Sequence, residues 1–154
     1  MRTFRKYPLW MSVLFISALM AFGLYSSLVN AAEEKPFAEQ RVVLQISDDD
    51  PGKQTLVLNV ASNLIKHYGP DKVDVEIVAF GPGLRLMFAD NVNVGRIKGL
   101  DSSGVRFAAC GNTIANMTKL LGSEPEMNPL AGRVQAGVVR ILELTGKGYT
   151  LIKP

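Results

Sequence analysis

Short runs of β-branched residues alternate with stretches of helical periodicity from residue 41 to residue 154, and this alternation restricts the fold more than any other feature. Residues 41–47 (RVVLQIS), 73–80 (VDVEIVAF) and 104–109 (GVRFAA) have the length and composition of buried strands. A very short strand is expected around residues 133–135 and a last one at 149–153 (YTLIK). Between the first two strands, Leu56, Val57, Val60, Ala61, Leu64 and Ile65 recur at helical spacing. Asp50 suits the N-cap of that helix, Pro51 its first position, and Gly69-Pro70 its stop. Further helices are expected at residues 84–89, 114–121 and 136–145, with a weaker stripe (Val94, Ile97, Leu100) in residues 91–103. Strands separated by helices pair in parallel through right-handed crossovers. The expectation is an α/β, flavodoxin-like three-layer sandwich with a mostly parallel five-stranded sheet.

The first 32 residues read differently. Arg2, Arg5 and Lys6 precede an apolar run over residues 9–25, and Val29-Asn30-Ala31 fits a small-residue cleavage pattern. Residues 1–31 are therefore read as a secretory signal peptide, 32–40 as a tether and 41–154 as the domain. The competing reading is an uncleaved membrane anchor, because the apolar run is near the lower limit of about 17–25 residues that span a bilayer. Either way the basic flank stays inside and the domain is exported, which points to a periplasmic location. The chain carries 17 Lys and Arg against 14 Asp and Glu. Three of the basic residues lie in the signal, so the domain is balanced and has no basic stripe that would suit nucleic acid.

Function in an open parallel sheet belongs beyond the carboxyl ends of its strands. Asp48, Asp49 and Asp50 follow the first strand, Gly81-Pro82-Gly83 the second, and Cys110 with Gly111, Asn112 and Thr113 the third. If the first and third strands are neighbours, Cys110 faces a crevice formed by Asp48, Asp49, Gly81 and Gly83. Amides of Gly111, Asn112 and Thr113 at a helix start would favour a thiolate or persulfide on Cys110, whereas nearby carboxylates would disfavour it. The alternative is a buried cysteine that acts as a small hydrophobe. A single Cys permits no internal disulfide. The three Asp residues suit a capped turn better than a cation site, and Gly81-Pro82-Gly83 lacks the spacing of a nucleotide-binding loop. The one histidine, His67, has no Cys or Glu at metal-ligand spacing. Neither a metal nor a cofactor is expected.

The stretches VVLQISDDDPGKQTLVLNVASNLI, VDVEIVAFGPGL, GVRFAACGNTI and GVVRILELTGKGYTLIKP resemble the DsrE/DsrF-like sulfur-relay family, in particular its exported single-domain members. The resemblance spans residues 41–154. It implies a flavodoxin-like fold, homo-oligomers (trimers or hexamers), and a sulfur carrier or sulfurtransferase role. In that role a third-strand cysteine, here Cys110, accepts a persulfide sulfur from a donor and passes it to an acceptor. A non-catalytic ligand-binding or assembly module with a structural cysteine is the reading from the other class.

Overall fold

The computed structural model describes residues 35–154; the signal peptide and its cleavage site lie outside the described residues. Five strands, β1 (Gln40–Ile46), β2 (Val73–Ala79), β3 (Arg106–Cys110), β4 (Ala131–Val134) and β5 (Thr150–Ile152), form one sheet in the order β4-β3-β2-β1-β5. Every pairing is parallel. Four α-helices connect them: α1 (Pro51–Tyr68), α2 (Val94–Ser102), α3 (Gly111–Leu121) and α4 (Gly137–Gly146). The α/β three-layer architecture is the expected one. Among the described residues no helix is long and apolar enough to cross a membrane.

Local chemistry explains the first crossover. The Asp50 carboxylate accepts the Lys53 amide at 2.9 Å, Pro51 opens α1, and Gly69 ends it at a φ of +87° that suits glycine. The helix expected over residues 84–89 is instead part of a 3-10 helix, Gly81–Met87, that starts at the Gly-Pro-Gly turn. Tight packing accounts for this. A Cβ on Gly83 would lie 2.5 Å from the Ile46 carbonyl oxygen, so the turn rests directly on the end of β1. The ambiguous stretch becomes α2, with Ile97 and Leu100 buried.

The layers are unequal. Side chains of α1, the 3-10 helix, α2 and α3 pack with Val42, Leu44, Val75, Ile77 and Phe107 on one face of the sheet. Among the described residues the other face carries only α4, whose Ile141 and Leu144 meet Val43, Val78, Ala108 and Tyr149. On that face Asp74 and Glu76 of β2 are fully buried and are neutralised by Arg106 and Arg140. The alternating start of β2 therefore hides charges that partners 30 or more residues away make tolerable.

The strand order separates β1 from β3. β2, buried along its whole length, lies between them. The loop after β1 thus starts two strand spacings, about 10 Å, from the end of β3. The adjacency that would have aimed Asp48 and Asp49 at Cys110 does not occur.

Candidate functional site

Cys110 is the last residue of β3 and the N-cap of α3. Strand alternation directs it, like Ala108 and Arg106, to the α4 face. The start of α4 returns to the same edge because Gly137 lies flat against Phe80. A Cβ there would approach the Phe80 ring within 3.0 Å. Two helix N-termini therefore converge on one sulfur.

Cys110 is only 5% exposed, so it is buried rather than openly presented at the sheet edge. Burial is the largest single influence on it and pushes the thiol's pKa up. Donors together outweigh that effect and hold the pKa below its ordinary value: the Thr113 hydroxyl first, then the amides of Gly137, Thr113 and Asn112. No side-chain capping hydrogen bond to the neutral Sγ is formed at the start of α3. The donors act on the thiolate, whose charge strengthens weakly aligned contacts.

The Thr113 hydroxyl is held in place. The Gly81 amide donates to Thr113 Oγ1 at 3.0 Å, which leaves the O–H free to point at sulfur. Gly81 adopts a φ of +55°, which glycine tolerates without strain. The Asn112 amide donates to the Gln135 carbonyl at 3.2 Å, which ties the start of α3 to the loop before α4. Gly111 supplies room rather than a donor. A Cβ there would sit 3.0 Å from the Val134 carbonyl oxygen, against the same loop.

The expected crevice residues divide. Gly81 and Asp49 line a groove of about 340 Å³ with Arg85, Thr113 and Asn116. Thr113 alone belongs both to this groove and to the donors around Cys110. Gly83 is buried beneath the turn. Asp48 pairs with Lys53 at 2.9 Å, and Asp49 lies 3.9 Å from Arg85. Gly137 is the donor that the sequence reading missed. Its only signal is general: helices of parallel units start at the carboxyl edge of the sheet.

These contacts predict the pH dependence. Thr113→Val removes the strongest single donor and raises the thiol's pKa, so alkylation by iodoacetamide near neutral pH slows severalfold. Asp48→Asn with Asp49→Asn leaves the alkylation–pH profile in place, because both carboxylates are engaged elsewhere. A shift in the double Asn variant with none in Thr113→Val would reverse this assignment.

No protein-family model matches the chain, and no curated protein does. A solved structure does: that of MTH1491 from Methanobacterium thermoautotrophicum, described as a protein of unknown function. It is 28% identical, with a TM-score of 0.67, over 75% of this chain and 100% of that one. The chain thus shares its α/β fold with MTH1491.

Proposed function

We propose that the protein is an exported sulfur carrier that holds a persulfide on Cys110. The observation that carries this reading is the convergence of two helix N-termini and the Thr113 hydroxyl on the chain's single cysteine. Such a setting favours an anionic sulfur, and both a thiolate and a persulfide are anions. The resemblance to DsrE/DsrF-like proteins supports the same chemistry. In the loading step the Cys110 thiolate attacks a sulfane sulfur of a polysulfide anion. The new S–S bond forms, the bond to the remaining chain breaks, and that chain leaves as an anion one sulfur shorter. Passing the sulfur to an acceptor thiolate reverses the roles. As a sulfurtransferase or carrier it needs no metal or cofactor for this exchange.

The homo-oligomer reading has its own support. Val138, Val139 and Leu142 form an apolar strip on the outer side of α4 and are 55%, 50% and 65% exposed. Light scattering at micromolar concentration should give a trimeric or hexameric mass, and Leu142→Glu should lower it. A monomeric wild-type mass contradicts the oligomer.

The burial of Cys110 favours a second reading, a binding or assembly module with a structural cysteine. Native-state alkylation decides between them. A carrier is labelled by iodoacetamide without denaturant, and Cys110→Ser is not. Labelling only after unfolding assigns the cysteine to the core.

A further inference from the structure

We propose that Phe80 and Val134 form a size filter at Cys110, which admits a linear inorganic polysulfide and excludes sulfane sulfur carried on a bulky organic or protein group. The inference rests on the carrier reading of Cys110 and names its donor class. Strand register places the two side chains. Val134 of β4 is the parallel partner of Cys110. On the other side, the pairing of β2 with β3 ends with Ala79 opposite Ala109. Phe80 follows in extended backbone, and its amide still donates to the Ile46 carbonyl at 3.2 Å. Phe80 therefore stands one position further along, beside Cys110. Alternation directs all three side chains to the α4 face, where Phe80 and Val134 pack against the cluster that holds Val78, Ala108 and Ile141.

The roof over the sulfur is backbone. Gly137 lies so near the Phe80 ring that a Cβ would come within 3.0 Å of it, and the Gly137 amide donates to the Cys110 sulfur. The strands that carry Phe80 and Val134 are two spacings, about 10 Å, apart. An aromatic ring and a branched side chain narrow that span from both ends, which leaves Cys110 5% exposed. A polysulfide is an unbranched chain of single sulfur atoms and can enter end-on. A persulfide on a peptide or protein carries its carbon group directly behind the sulfur that leaves, where Phe80 and Gly137 stand.

Two reagents with one reactive group and different substituents read the filter without any sulfane sulfur. Methyl and benzyl methanethiolsulfonate each form a disulfide with the Cys110 thiolate and release methanesulfinate. The methyl-to-benzyl rate ratio of the native protein should exceed that of the urea-unfolded protein about tenfold. Phe80→Ala should bring the native ratio within about threefold of the unfolded one, chiefly by speeding the benzyl reagent. Phe80→Leu keeps an apolar contact with Gly137 and should fall between, and circular dichroism checks that each variant is folded. A native wild-type ratio equal to the unfolded one overturns the filter. So does a tenfold excess that survives in every folded Phe80 variant. Intact mass then reads the donor. Wild type should gain sulfur from inorganic polysulfide about tenfold faster than from glutathione persulfide, and Phe80→Ala should narrow that gap. Equal loading of wild type from both overturns the donor class. No loading from polysulfide, with the methyl-to-benzyl excess intact, contradicts the carrier reading and leaves the filter standing.

Discussion

Replacing Arg106 by Met is expected to cost about 3–5 kcal/mol of folding stability, a large part of the roughly 5–15 kcal/mol that holds a domain together. The reason is what it leaves behind. Asp74 is completely buried, and its carboxylate pairs with Arg106, accepts the Tyr149 hydroxyl at 2.5 Å, and accepts the Lys35 amide at 3.2 Å. Among the described residues only Arg106 brings a positive charge into direct contact with it. Glu76 is cushioned better, since Arg140 reaches it at 2.7 and 2.8 Å and Arg106 at 3.1 Å. Arg106→Met thus strands one carboxylate in the layer between sheet and α4, and Arg140→Met strands none. The second substitution should be distinctly milder. Asp74→Asn combined with Arg106→Met removes the stranded charge and keeps an acceptor for Tyr149 and Lys35, so it should recover much of the loss. Urea denaturation measures all three variants against wild type. A loss below about 1 kcal/mol for Arg106→Met would mean that water reaches Asp74 and that the network contributes little.

That network also marks where sequence reading stops. The caps of α1 were legible because they are local: Asp50, Pro51 and Gly69 act within a few residues of one another. Strand identity was legible from β-branched runs for the same reason. Neighbour relations were not. A run such as VDVEIVA signals a strand, but nothing within it places β2 between β1 and β3. Its Asp74 and Glu76 look like solvent-facing positions until Arg106 and Arg140 arrive from β3 and α4. The site shows the same division. Cys110 at a strand end followed by Gly, Asn and Thr could be seen directly. The Gly137 amide could not, because its approach depends on a contact with Phe80 across 57 positions of sequence.

Cys110→Ser is expected to abolish sulfur uptake completely, the largest functional effect of any substitution considered, while leaving the fold intact. Serine is close in size and can use the same donors, so the packing at the start of α3 and α4 survives. Serine lacks a sulfur nucleophile, so no S–S bond can form. Thr113→Val should slow loading without preventing it, since the amides of Gly137 and Thr113 remain. The most direct measurement is the intact mass of the native protein after incubation with polysulfide. Wild type should gain about 32 Da per added sulfur, dithiothreitol should reverse the gain, and Cys110→Ser with an unchanged circular dichroism spectrum should gain nothing. A wild-type mass that stays unchanged under native conditions, or an equal gain on Cys110→Ser, would contradict the account.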